Sequence, residues 1–305
     1  MAETTPNTLK SDMAVSSMPA AQSAARRVSP SVYAARVGRH VILIAAILFF
    51  LFPIFYMVSS SLKTHVELFS QPPTLLPQAP TLAGYFDLFN NRQFGLALRN
   101  SLIVVSGSVA LSILLGTLAA YSLSRFRLPG KLNGILAFWI LSTRMLPPIV
   151  TIVPVYQIIN GLRLVNQFSG LIIVYVTFSL PFAVWMMRSF ISEIPVDLEE
   201  AAMVDGASRW QAMWRVTMPL IRPGLVATAI FIVIDSYNEF LFALILTNTP
   251  DRMPMSVATA ALIGKIQVQW ESMNAGGTVA IIPIVVFAIL LQRHLVRGLT
   301  LGAVK

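Results

Sequence analysis

Residues 194–224 read IPVDLEEAAMVDGASRWQAMWRVTMPLIRPG, and this polar stretch between apolar blocks decides the fold. Pro195 and Asp197 open a helix. Asp197 is expected to cap it, with Glu200 three residues on completing a capping box, because the first helical turn leaves backbone N–H groups without partners. Gly206 ends that helix, since glycine adopts the left-handed turn required there. Ser208 and Gln211 repeat the capping pattern and start a second short helix, which Pro219 and Pro223 stop. The expectation is helix, glycine turn, helix, then a proline-marked entry into the next apolar block. Most connections between elements are far shorter than these thirty or so residues, so the stretch is a built segment and not a passive loop.

The surrounding composition says where such a segment sits. Of 305 residues, 56% are hydrophobic and only 11% charged, with mean hydropathy +0.72. A soluble domain carries about 25% charged residues, so this is the composition of a membrane protein. No cysteine is present, which excludes disulfides and thiolate metal sites. The net charge of +9 does not point to nucleic acid, because the basic residues lie between apolar blocks.

Six membrane helices are expected, over Val41–Val58, Leu102–Leu123, Ile135–Ile159, Phe168–Met187, Leu225–Leu246 and Thr278–Leu291. Residues 1–39, rich in Ala, Ser, Thr and Met, read as a disordered cytoplasmic tail, and residues 40–305 as the transmembrane domain. Orientation follows from the loops. Lys10, Arg26, Arg27, Arg36, Arg39, Arg125, Arg127, Lys131, Arg188, Arg209, Arg215, Arg222, Arg293, Arg297 and Lys305 fall on one side, and only Lys63, Arg92, Arg99, Arg163, Arg252 and Lys265 on the other. The richer side is cytoplasmic, so both termini and the 194–224 loop face the cytoplasm. Two long outer loops, 62–98 and 247–276, remain; the second contains a helix-like run from Met255 to Gly264.

Charges inside apolar blocks are the informative residues. An ionised side chain at the bilayer centre costs about 2.5–3.5 kcal/mol on insertion scales, so Arg144, Asp235 and Glu239 are expected to face a wet cavity or a partner. Asp235 and Glu239, four apart, are expected to share one helix face. Tyr237 and Asn238 add an aromatic edge and an amide, and this group suits a sugar. Two readings stay open: these residues line a path for solute, or Arg144 pairs with Asp235 or Glu239 to lock helices together.

The stretch Glu200-Ala201-Ala202, Asp205-Gly206-Ala207 and Val216-Thr217-Met218-Pro219 resembles the EAA loop of bacterial ABC importer permeases: E-A-A, three residues, G, nine residues, I, one residue, L-P. The spacing holds throughout, with Val216 and Met218 in place of Ile and Leu. Leu141 to Pro148, Tyr237-Asn238-Glu239-Phe240, Ser60-Ser61-Leu62-Lys63 and Gly298 to Lys305 are similar to segments of carbohydrate importer permeases of the maltose-transporter MalG type. The resemblance covers roughly residues 40–305. It implies an all-α membrane protein of the bacterial inner membrane with the type I ABC importer permease fold. It implies pairing with a second, MalF-like permease subunit, seating on an ATPase subunit dimer that binds ATP-Mg, and delivery of a sugar or polyol by an extracytoplasmic solute-binding protein. Glu200, Ala201, Ala202, Asp205, Gly206 and Ala207 would then form the coupling helix that fits a groove of the ATPase. Leu299 to Lys305 would reach the ATPase dimer interface, and the 247–276 loop would approach the binding protein.

No cofactor or metal is expected in the chain itself. His40 and His294 sit at membrane edges, His65 sits in an outer loop, and no metal-like spacing or G-x-x-x-x-G-K-[ST] phosphate loop occurs, so the chain is not expected to hydrolyse ATP. An intramembrane enzyme would need a nucleophile or metal pair that the sequence lacks. A permease for a non-carbohydrate solute remains an alternative. So does a stand-alone secondary carrier, though no internal repeat supports it.

Overall fold

The computed structural model describes residues 30–126, 128–263 and 269–301. Most of the expected tail and the extreme C-terminus, from residue 302, lie outside the described residues, as does Gly264. The chain divides into two compact units, Met1–Leu51 and Phe52–Lys305.

Helix α1 runs Pro30–Ser61, so it begins inside the segment expected as tail. Proline at a helix start is favourable, because the N–H it lacks would have no partner there anyway. Within the first unit, the apolar side chains of α1 point outward; Ile42, Phe49 and Phe50 are all at least 70% exposed. An apolar surface of this kind suits hydrocarbon or another helix, not water.

In the second unit, α2 (Phe94–Arg125) is a continuous span. The third expected span is not one helix. Segment α3 (Leu132–Met145) and helix α4 (Pro148–Gly161) meet at 97°. Leu146 and Pro147 are both extended, with ψ 123° and 127°. A residue before proline is disfavoured in the helical region, and two successive prolines remove two helix donors, so the turn falls here. Helix α5 (Phe168–Ser192) spans unbroken.

The 194–224 loop holds α6 (Asp197–Val204) and α7 (Arg209–Leu220), which turns by 74° into α8 (Arg222–Asn238). The fifth expected span, Leu225–Leu246, is also interrupted: α8 ends at Asn238, Glu239 is extended, and a short α9 follows at Leu241–Leu246. Helix α10 (Met255–Ala260) lies within the expected outer helix-like run, and α11 (Trp270–Leu301) is the last span, much longer than expected. Among the described residues there are four continuous spans, or six if each bent pair counts as one.

Small residues hold α2 against α5. Ser108, Ser112, Gly116, Thr117 and Ala120 are buried on α2, facing a surface of α5 that includes Ser179 and Ala183. A Cβ placed on Gly116 would lie 2.6 Å from the Ala183 Cβ and 3.2 Å from its carbonyl carbon. Lipid offers no hydrophobic drive between helices, so close backbone approach and dispersion supply the association. Near the start of α2, the buried Asn100 amide donates to the carbonyls of Asp251 and Met253, at 2.9 and 3.1 Å, which ties α2 to the loop before α10.

Candidate functional site

The break between α3 and α4 and the break between α8 and α9 face the same space. A cavity of about 590 Å³ lies there, and Arg144, Asp235, Asn238 and Glu239 are among its lining residues, as the sequence suggested for a common site. Tyr175, Phe178, Ser179 and Phe242 also line it, and no pattern of residues marks them in advance. Arg144 sits in the last, tightened turn of α3, next to the double proline. Its guanidinium donates to Asp235 Oδ2 at 3.3 Å and to the Phe178 carbonyl at 3.2 Å, and lies 5.4 Å from the Phe182 ring centroid. Both members of this ion pair are substantially exposed to the cavity, so the pair orients Arg144 without removing it from reach.

Glu239 does not share a helix face with Asp235. Its backbone has left the helix, and its carboxylate accepts the backbone N–H groups of Phe242 at 2.9 Å and Ala243 at 3.1 Å. Standing one residue before the N-cap Phe240, it covers the first free N–H groups of α9 with its carboxylate and uses its negative charge at that helix's positive end. Glu239→Ala is therefore expected to destabilise the protein by about 1 kcal/mol, the usual worth of a cap, while Glu239→Gln retains an oxygen and loses less. Thermal melting of the purified variants in detergent checks the order; equal loss in both would contradict the cap.

Tyr237 does not join the cavity group. Its ring packs among Leu88, Phe94, Met255 and Ala275, and its hydroxyl donates to the Ala280 carbonyl at 2.9 Å. A helix advances 100° per residue, so Tyr237 points to α11 while its neighbour Asn238 faces the cavity. Ser236 also lines the cavity, and its hydroxyl is buried with no partner within the described residues.

The 194–224 loop forms a second candidate surface. Gly206 has φ +91°. Its N–H donates to Met203 and that of Ala207 to Ala202, at 3.1 and 3.0 Å, the pair of bonds that closes a Schellman end. Ser208 and Gln211 make the expected reciprocal capping box. The Asp197–Glu200 box does not form: Val196 precedes the helix already in helical geometry, and Asp197 makes no cap. Nor does Pro219 stop the second helix. A π-helical stretch over Met213–Thr217 widens the chain just before it, and α7 continues to Leu220. The wider turn removes the clash of a proline ring with the preceding turn's carbonyl. Glu200, Ala201, Asp205 and Gly206 are exposed, and Ala202 and Ala207 half-buried. Ala202, Asp205, Gly206, Ala207, Gln211 and Arg215 are among the residues lining a cleft of about 350 Å³.

The loop's buried charge is Glu199, which was not singled out from the sequence. Its Oε1 accepts from Arg125 Nε at 2.7 Å and Thr217 Oγ1 at 2.6 Å, and its Oε2 accepts from the Tyr121 hydroxyl at 2.7 Å. Burial pushes its carboxyl up, but the bonds from Thr217, Arg125 and Tyr121 outweigh it and hold the group below its ordinary value. Its signal was phase: residues 199, 202 and 203 fall on one helix face, and Ala202 and Met203 are the weakly polar members of it.

A profile of the family described as "Binding-protein-dependent transport system inner membrane component" matches residues 112–301. The chain is 39% identical over 259 residues to the probable ABC transporter permease protein y4oR of Sinorhizobium fredii, covering 84% of this chain and 91% of that protein. It is 38% identical over 257 residues to the trehalose transport system permease protein SugB of Mycobacterium tuberculosis, covering 84% and 92%. Among solved structures it matches a chain of a bacterial ABC transporter involved in the import of the acidic polysaccharide alginate. The TM-score is 0.74 at 23% identity, covering 87% of this chain and 98% of that one, which is a likeness of fold.

Proposed function

This chain belongs to the family of binding-protein-dependent transport system inner membrane components, and we propose, from that premise, that it carries a sugar or sugar alcohol across the membrane as one half of an ATP-driven importer. The family makes it a multi-pass membrane permease subunit with the type I importer fold. The observation that carries the finer reading is the cavity between the two helix breaks. It places a guanidinium, two carboxylates and an amide beside Phe178 and Phe242. A polyhydroxylated solute needs this combination: hydrogen-bonding groups for its hydroxyls and ring faces for its C–H surfaces. The trehalose relative supports the same class of solute.

In this reading the partners are a second, MalF-like permease subunit, two ATPase subunits that hold ATP-Mg, and an extracytoplasmic binding protein. The exposed edge of α6, with Glu200, Ala201 and Asp205, and the cleft around Gly206 dock on the ATPase. Both termini and that loop face the cytoplasm. Because α7 leads through Arg222-Pro223-Gly224 into α8, movement of the docked loop reaches Asp235 and the cavity.

Co-purification through a tag on this chain tests the assembly. Recovery of a second permease and of an ATPase at two copies is expected, with ATP hydrolysis stimulated by a sugar- or polyol-loaded binding protein. Stimulation only by an amino acid or peptide would replace the substrate class. Recovery of the chain alone, moving solute without ATP, would overturn the reading.

A further inference from the structure

We infer that Glu199 is a positioning residue that joins the cytoplasmic loop to the membrane helices as one body, so that force on the loop becomes movement of the cavity. This rests on the importer reading above. Three elements converge on its carboxylate: the end of α2 through Tyr121 and Arg125, α6 through Glu199 itself, and the π-helical part of α7 through Thr217. Arg125 makes a further bond, from Nη2 to the Ile194 carbonyl at 3.0 Å, which fixes the entry into α6. The Arg125 and Glu199 side chains are only 5% and 4% exposed, so neither water nor salt competes for the pair. All four of these side-chain hydrogen bonds join residues that are between 18 and 78 positions apart in sequence.

The arrangement is asymmetric. Glu200 and Ala201, beside Glu199 in sequence, are exposed and free to meet a partner, while Glu199 faces inward. Backbone connection alone would join α6 to the rest through two turns, at Pro195-Val196 and at Gly206. The carboxylate closes a bracket across both turns. Two oxygens accept from three donors, and both turns then move only if the bracket moves with them. A Gln side chain at this position has one oxygen in place of two and no charge, so Arg125, which only donates, loses its ion pair, and the Tyr121 or Thr217 hydroxyl that meets the new N–H₂ must turn from donating to accepting.

The test compares wild type, Glu199→Gln and Tyr121→Phe in the assembled importer, with partner permease, ATPase and binding protein reconstituted in vesicles. Solute uptake and ATP hydrolysis are measured together. Both variants are expected to co-purify with the ATPase and to hydrolyse ATP. Uptake per ATP is expected to fall at least tenfold in Glu199→Gln and severalfold in Tyr121→Phe, which removes one bond and leaves the ion pair. An unchanged ratio in both variants overturns the inference while the importer reading stands. Loss of the ATPase from Glu199→Gln, with a normal ratio in Tyr121→Phe, also overturns it, because the residue would then serve only folding. A wild type that takes up no solute under ATP removes the importer reading itself.

Discussion

Gly116→Leu is expected to abolish recovery of folded protein. A single added carbon at this position meets Ala183 at 2.6 Å, and the next nearest atoms, at 3.2 and 3.4 Å, are backbone atoms of Ala183 and Val184 that cannot swing aside. Leucine adds three further carbons on a face where α2 and α5 are already in contact. Overpacking a well-filled core costs about 1–3 kcal/mol and occasionally more, and backbone obstruction places this site at or above the upper end. A folded protein has only about 5–15 kcal/mol in hand. The measurement is the monodisperse fraction of detergent-extracted protein on gel filtration. Leu115→Ala is the control, since Leu115 is exposed and its loss opens no interface. Gly116→Ala should give an intermediate yield and a lowered melting temperature. A normal yield for Gly116→Leu would mean that the two helices do not meet at this point.

Gly206→Asp is expected to leave membrane insertion intact and to stop solute uptake. Nothing lies within 4 Å of a Cβ at this position, so the variant has no packing defect. The strain is local: φ is +91°, and left-handed backbone costs a non-glycine residue about 1–2 kcal/mol. Relief of that strain is expected to turn α6 against α7 and so to deform the cleft that Ala202, Asp205 and Gln211 line. The new carboxylate also adds a second negative charge beside Asp205. With about 1.4 kcal/mol per factor of ten in an equilibrium, uptake should fall by at least about tenfold with unchanged membrane content. Uptake at the wild-type rate would remove the docking role from this loop.

The glycine turn was legible because only one residue type satisfies a positive φ cheaply, and the Ser208–Gln211 box because its spacing is diagnostic. The joint placement of Arg144 and Asp235 was also legible, since two opposite charges inside apolar blocks must find each other or water. Other features depended on context that one-dimensional patterns do not carry. Val196 enters α6 already in helical geometry, so Asp197 had no extended position from which to cap. Whether Glu199 or Glu200 faces inward depends on the position of Tyr121 and Arg125, some 75 residues earlier in the chain. Leu225 to Leu246 reads as one apolar run, yet the Glu239 carboxylate can serve as a cap only if the backbone leaves the helix before it. Pro219 reads as a terminator, and the π-helical turn that accommodates it has no sequence signature of its own.

The contact of Gly116 with Ala183 bears on how the molecule can change shape. Two helices separated by long side chains can slide, because the side chains re-pack as they go. Two helices that touch at the level of Cα cannot: an axial shift of one residue, about 1.5 Å, drives a methyl group into the next backbone turn. The α2–α5 pair is therefore a fixed post with no translational coordinate of its own. Compliance is left to the places where the helical ladder is already interrupted, at Leu146-Pro147 and at Glu239, and both border the cavity. Any change in the space between them is then expected to come from torsions at those two breaks, turning short arms against an upright that does not slide.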